Sequence, residues 1–322
     1  MQRRRLAVAA GVVAVAAVAF GVTGILGDDD EGVDLAAEER VTTTTVEPST
    51  TTTAQPTTTT AAPTTVPTPR LGPGSPLPAV PQPGEPVAAA TAEGLADQLR
   101  SSWAAIRAGG AGAAPGAHLY QVATRSLAAR EPLRGPVYAL LEPALRDQVV
   151  ADVDAAVKLR RLVGAPRTAL PPWRIVAPPP PEELLAHYQA AEVSFGVPWQ
   201  YLAAINLVES RMGRIRGTSE AGAQGPMQFL PATWAAYGAG GDINSYPDAI
   251  AAAARYLEAN GAPGDMRNAV WNYNHSDLYV DAVLAYGDRM KADPAAYLGY
   301  YHWQVYYVTT AGDVWLPVGY GT

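Results

Sequence analysis

Apolar residues recur along much of this chain at the spacing of helices buried on one side. Leu95, Leu99, Trp103 and Ile106 make one stripe and Leu145, Val149, Val153 and Val157 another, so residues 91–163 are predicted to form a small helical domain. Gly109–Gly116 punctuates its two halves. From 164 to 181 the pattern breaks. Pro171-Pro172 and the prolines at 178–181 each remove a backbone donor and bias their predecessors away from helix, which predicts a linker. Helical spacing returns over 182–322, with helices expected at Glu182–Phe195, Pro198–Met212, Ala249–Asn260, Met266–Tyr273 and Tyr279–Lys291. Asp248 is placed as an N-cap and Gly261 as a C-cap. The end is β-prone: His302–Val308 and Val314–Val318 could pair about a turn at Ala311-Gly312-Asp313. The fold class this predicts is mainly α, with a small C-terminal hairpin, the larger domain being preceded by the small helical one.

The first ninety residues follow a different pattern. Arg3, Arg4 and Arg5 precede Leu6–Leu26, a stretch without a charge, and Asp28, Asp29, Asp30 and Glu31 follow it. As a helix that stretch would span about 31 Å at ~1.5 Å per residue, close to the hydrocarbon core of a bilayer. Basic residues before it and acidic ones after it favour a cytoplasmic N-terminus. Residues 1–27 are therefore expected to be a basic tip and a transmembrane anchor, placing the remainder outside the cytoplasm. The rival is a signal peptide cleaved near residue 19, where Ala17-Val18-Ala19 has the small-x-small form, and the rest of the chain is then secreted. Residues 28–90 are rich in Thr and Pro, with almost nothing to bury, and are expected to be a disordered stalk.

Composition narrows the chemistry. The chain of 322 residues carries 23 Lys+Arg against 30 Asp+Glu, a formal charge of −7, which argues against a nucleic-acid partner. It has no Cys, so there is no disulfide framework, thiolate metal site or Cys nucleophile. His118, His187, His275 and His302 are scattered without ligand spacing. Asp242, Asn244 and Asp248 suggest a calcium loop, but the position for its bidentate Glu is Ala253, so turn and cap roles fit better and no metal is expected.

Three segments hold groups that could react or bind. Glu209 shares a helix face with Leu202 and Ile205, and a carboxyl on an apolar face loses hydration and tends to keep its proton, as a general acid must. The plain alternative is a helix-end Glu paired with Arg211 or Arg214. In Ser219–Trp234, Gly222 and Gly225 allow close backbone approach, Met227 and Phe229 offer apolar contact, and Gln228 offers an amide. Trp271-Asn272-Tyr273-Asn274-His275-Ser276 joins aromatic and amide groups, a combination suited to a sugar, with its apolar faces and hydroxyl edges.

Glu209-Ser210, Gly225-Pro226-Met227-Gln228-Phe229 and Tyr273-Asn274, in that order, resemble the three signatures of bacterial lytic transglycosylases, lysozyme-like enzymes acting on peptidoglycan. The resemblance runs from about Glu182 to Met290. Gly241–Ile250 and Tyr273–Val280 look closest to the membrane-bound lytic transglycosylase B branch. It implies a lysozyme-like catalytic domain over 182–322 and Glu209 as the sole catalytic acid and base. It implies Gln228 and Ser219 as hydrogen-bonding partners of the sugar, Met227 as a cleft wall, and Tyr273 and Asn274 as positioning groups. Many relatives read Ala-Tyr-Asn-Ala-Gly where this chain has Asn272 before Tyr273 and His275-Ser276 after Asn274, which touches the tyrosine loop and not the acid. The implied reaction cleaves the bond between N-acetylmuramic acid and N-acetylglucosamine with closure of a 1,6-anhydro ring, without a cofactor. The partner it implies is the glycan strand of peptidoglycan. A hydrolytic muramidase resembling goose-type lysozyme, and a non-catalytic peptidoglycan-binding scaffold, are the alternatives.

Overall fold

The computed structural model of this protein describes residues 71–322. The expected anchor at 1–27 and the Thr-rich part of the stalk up to residue 70 lie outside the described residues. Among the described residues, no helix is long and apolar enough to cross a membrane.

The described residues cluster as one compact unit, mainly helical. Helices α1 (Ala92–Ala108), α2 (Ala113–Ala129), α3 (Glu131–Leu140) and α4 (Pro143–Leu162) come first, with a 3-10 turn at Gly110–Gly112. Thr91 starts α1 by accepting from the Gly94 N–H at 3.1 Å. Then follow α5 (Pro181–Phe195), α6 (Trp199–Ser210), α7 (Pro231–Tyr237), α8 (Tyr246–Ala259), α9 (Met266–Tyr273), α10 (Asp277–Ala292) and α11 (Ala295–Tyr301). Two small antiparallel ribbons complete the described residues. In one, β1 (Arg174–Ile175) pairs with β2 (Ile215–Arg216); in the other, β3 (Val305–Thr309) pairs with β4 (Gly312–Leu316). The C-terminal ribbon is the expected hairpin, turned one residue earlier at Thr310-Ala311.

Two helices start more than one residue earlier than expected: α10 at Asp277, two residues before Tyr279, and α8 by three residues. The N-cap of α8 is Ser245, whose hydroxyl accepts from the Asp248 N–H, so the helix begins at Tyr246 and not at Ala249. Asp248 lies in the first turn and accepts from the Asp242 N–H at 3.0 Å, while Asp242 itself accepts from the Asn244 N–H at 2.9 Å. Pro247 inside that first turn costs nothing, since its missing donor had no helical acceptor. At the other end Asn260 is the C-cap, and Gly261 follows it with φ 109°.

The early helices pack on the later ones. Helix α4 lies along α10, which also packs on α6, while α2 and α1 reach α11. Asp152 of α4 accepts from the hydroxyls of Tyr120 on α2, at 2.7 Å, and Tyr300 on α11. Burial pushes its carboxyl up to about 6, against the two hydroxyl bonds, which favour ionisation. Residues 164–180 hold no helix, α5 starting at the last proline of the expected linker, but they are tied down: the N–H groups of Arg167 and Ile175 donate to the carbonyls of Val308 and Tyr320. Residues 71–90, assigned by composition to the stalk, also lie against the helices. Leu71, Leu77, Val80, Ala88 and Ala89 touch the core, Gln82 Nε2 donates to the Trp315 carbonyl at 2.6 Å, and Gln98 holds both Ala89 N–H and Val87 C=O. Proline limits the freedom of this segment before folding, so a few contacts suffice to order it.

Candidate active site

Helix α6 is apolar nearly all round, and its last turn is buried on every side. Glu209 sits there, completely shielded from water. Its Oε1 accepts from the Tyr279 hydroxyl at 2.5 Å, while Oε2 has no hydrogen-bond partner. Burial raises the carboxyl well above the usual range, and the Tyr279 bond opposes this only in part. The helix-end pairing does not involve Arg214, which donates to the carbonyls of Tyr301 and Trp303. Arg211 lies over the Trp303 ring, its centre 5.7 Å from the ring centroid.

The segment after α6 departs from ordinary backbone. Arg211 and Met212 have φ of 56° and 59°, and Gln228 has φ 50°; of the described non-glycine residues only Ala239 shares this left-handed region. Such conformations cost of order 1 kcal/mol or more and persist where surroundings over-determine them, often at functional sites. Ser210 and Asn206 supply part of that constraint. Both donate to the Pro226 carbonyl, and the Gly213 N–H donates to the Ser210 hydroxyl at 3.0 Å. The acid's helix and the Gly225–Phe229 turn are thereby stitched together.

That turn is closed by reciprocal bonds between Gln224 and Phe229, each 2.9 Å. Gly225 is required within it: its φ is 74°, and a Cβ there would lie 2.0 Å from the Ile243 carbonyl oxygen. Met227 is fully buried. Gln228 is 1% exposed; its Nε2 donates to the Gly225 carbonyl at 2.9 Å, leaving Oε1 buried without a partner. Tyr273, at the end of α9, donates to the Met227 carbonyl at 2.6 Å, and its phenol is pushed well up by burial and then by the Glu209 charge. Tyr279, in the first turn of α10, is raised for the same two reasons.

The structure thus brings together Glu209, Met227, Gln228 and Tyr273. Ser219 uses its hydroxyl within its own loop, accepting from the Ala223 N–H at 3.0 Å. Asn274 follows α9 in extended conformation and is 8% exposed. Trp271 stands half exposed with the His275 ring 4.1 Å away. Sequence reasoning gives no role to Tyr279 or Asn206, and names Ser210 only as part of the Glu209-Ser210 signature. The traceable signal was the placement of Asn206 and Ser210 one turn apart on the helix that carries the acid.

Other acids in or beside these segments have structural partners. Glu220 pairs with Arg167 at 3.0 Å, Asp277 with Arg267 at 2.7 Å, and Asp242 and Asp248 cap backbone N–H groups. No cluster of metal-ligating side chains occurs among the described residues.

A helical domain with a buried, protonation-prone carboxyl beside Tyr273, Tyr279 and the Gly225–Phe229 turn has the character of a lysozyme-like fold. Residues 187–292 match the Transglycosylase SLT domain family, a match that supports a domain of the lytic-transglycosylase type over this part of the chain. No curated protein and no solved structure matches the chain.

Proposed function

We propose that this protein is a peptidoglycan lytic transglycosylase that cleaves the β-1,4 bond between N-acetylmuramic acid and N-acetylglucosamine, with Glu209 as acid and then base. The observation that carries the proposal is the isolation of Glu209: a buried carboxyl held toward its protonated form, with every other candidate acid engaged elsewhere. Hydrolysing glycosidases commonly use two carboxylates. One suffices when the sugar brings its own nucleophile. Glu209 gives its proton to the glycosidic oxygen as the C1–O bond breaks, and the N-acetyl carbonyl stabilises the cationic carbon. The Glu209 carboxylate then removes the proton from the muramyl O6, which bonds to C1. The acid is regenerated, and no water is consumed. Gln228, through its unpartnered Oε1, and Tyr273 and Asn274 at the end of α9 would orient the sugar, with Met227 behind them. The resemblance of Gly241–Ile250 and Tyr273–Val280 supports the B branch, and the charge pattern around Leu6–Leu26 supports a membrane-anchored protein with its catalytic domain outside the cytoplasm.

Mass spectrometry of digested sacculi tests the reading. The expected muropeptides are lighter by one water than hydrolysis products and lack a reducing muramyl end. Glu209→Gln should abolish their release, at or beyond the upper end of the ~10²–10⁴-fold worth of general acid–base catalysis, while Glu220→Gln should leave it nearly unchanged. Reducing-end products together with an inactive Glu220→Gln would make the protein a hydrolase.

A further inference from the structure

The ribbon of β1 and β2 sets Arg174 directly opposite Arg216. Like charges facing each other across two strands repel, so the pairing is unfavourable by itself. Both arginines line a cleft of about 860 Å³, together with Thr218, Gln224, Gly225 and Asn244, and no Asp or Glu lines it. The protein elsewhere supplies counter-ions freely: Arg125 and Arg160 share Asp313, and Arg267 has both Asp277 and Asp281. Here the nearby acids are committed, Glu220 to Arg167 and Asp242 and Asp248 to backbone N–H groups. Arg216 contacts the Asn244 carbonyl at 3.4 Å and the face of Tyr246, groups that leave its charge uncompensated. In a chain with formal charge −7, this is a local cationic cleft.

The cleft adjoins the candidate active site. Gln224 and Gly225 belong to the turn that carries Gln228, closed by the Gln224–Phe229 bonds. Arg216 follows Glu209 by seven residues, through the strained exit of α6. An occupant of the cleft is therefore attached close to the sugar whose bond is cut. On a peptidoglycan strand, the muramyl residue bears a peptide on its lactyl group, with free carboxylates and a run of amides. Guanidinium groups pair with carboxylates through two parallel hydrogen bonds, and Thr218, Gln224 and Asn244 offer hydroxyl and amide partners for a peptide backbone.

We propose that the Arg174–Arg216 cleft binds the acidic stem peptide of the muramyl residue, so that the enzyme selects peptide-bearing strands over stripped ones. The inference rests on peptidoglycan being the substrate of the Glu209 site. It is tested with the full-length protein on sacculi and on glycan strands freed of peptide by an amidase. Cleavage of peptide-bearing strands should show a KM ~10-fold or more below that of stripped strands, the scale of one charge-assisted hydrogen bond. Arg174→Gln with Arg216→Gln should erase that advantage and leave kcat, and cleavage of stripped strands, unchanged. Arg174→Gln alone, at an exposed position, should lose part of it without disturbing the fold. An unchanged KM on peptide-bearing strands, or an equal loss on both substrates, would overturn the proposal. Equilibrium binding of the Glu209→Gln protein to soluble, uncross-linked strands with and without their peptides, read by titration calorimetry, separates this question from catalysis. If the wild type cleaves neither material, the transglycosylase reading fails by itself. Weaker binding to stripped strands, a difference that the arginine substitutions abolish, still upholds the cleft, and equal binding refutes it.

Discussion

Replacing Tyr279 by Phe removes a single oxygen from the site, and its consequence follows from the geometry around Glu209. The ring is fully buried and Phe keeps its packing. What disappears is the 2.5 Å bond to Glu209 Oε1, and with Oε2 already unpartnered the carboxyl is left with no donor. That bond favours the ionised form, so its loss makes Glu209 hold its proton more firmly. Under the proposed mechanism, donating the proton to the glycosidic oxygen is then harder, and the carboxylate formed in that step has no hydroxyl to stabilise it. A hydrogen bond to a charged group contributes about 1.5–3 kcal/mol, which corresponds to a roughly 10- to 100-fold fall in kcat. KM should hold, because Tyr279 is buried behind the acid. The alkaline limb of the kcat–pH profile, where the acid's proton is lost, should move to higher pH. The assay is release of soluble muropeptides from sacculi across a pH series, with circular dichroism as the control for folding. A kcat within twofold of wild type and an unmoved alkaline limb would refute this account of Glu209. A fall in kcat with the limb unmoved would reduce Tyr279 to a packing residue.

Three further outcomes are expected. Glu209→Gln should make the protein more stable than wild type at neutral pH: a raised folded-state acid contributes stability below its unfolded value and loses it as pH rises through the folded one, so the variant's advantage should grow from pH 5 to pH 8 in denaturant titrations, and a constant difference would count against it. Asp152→Asn removes a second such group, for which the rise from 3.8 to about 6 is worth about 3 kcal/mol; wild-type stability should fall by that scale relative to the variant between pH 4 and pH 7, and parallel stability–pH curves would contradict the buried-acid assignment. Gly225→Ala should cost about 1–2 kcal/mol from its left-handed backbone alone and more from collision with the Ile243 carbonyl, lowering the urea midpoint and muropeptide release together; a wild-type midpoint would show that the turn can relax.

What the sequence made legible is what depends on local spacing. Glu209 was recognisable because Leu202 and Ile205 lie on its face, and α9 is found at Met266–Tyr273 because Asp265 caps it, accepting from the Asn268 N–H at 3.0 Å, ahead of an apolar stripe. The start of α8 was misplaced because Ser245 and Asp248 are both good caps three residues apart, and only the fold decides between them. Helices α7 and α11, each of seven residues, are too short to show a period. The ribbon of β1 and β2 joins residues about forty apart through two pairs, one member inside a proline-rich stretch that reads as a linker. No local rule announces such a pairing. Tyr279 was likewise seen as a residue of a helix start, because its contact with Glu209 spans seventy residues of chain.

If Glu209 is the proposed acid, the same contact gives the early helices a part in holding it, without any reactive group of their own. Glu209 and Tyr279 meet where α6 packs on α10, so their 2.5 Å separation depends on how α10 is held. Helix α4 also packs along α10, and two attachments hold it there. Lys158 of α4 bonds Asp281 of α10 at 3.1 Å, and Arg289 of α10 donates to Gln148 of α4. Asp152 then ties α4 to α2 and α11 through two tyrosines. A salt bridge that is partly exposed contributes little by itself, so the constraint comes mainly from the packed apolar face, where Val149 and Val153 of α4 and Val280 and Val283 of α10 are buried. A buried carboxyl with one donor is a costly arrangement that relaxes if its walls can move. Packing α4 along α10 supplies a wall that does not yield, which is a physical reason for residues 92–162 to share one compact unit with the domain that carries the acid.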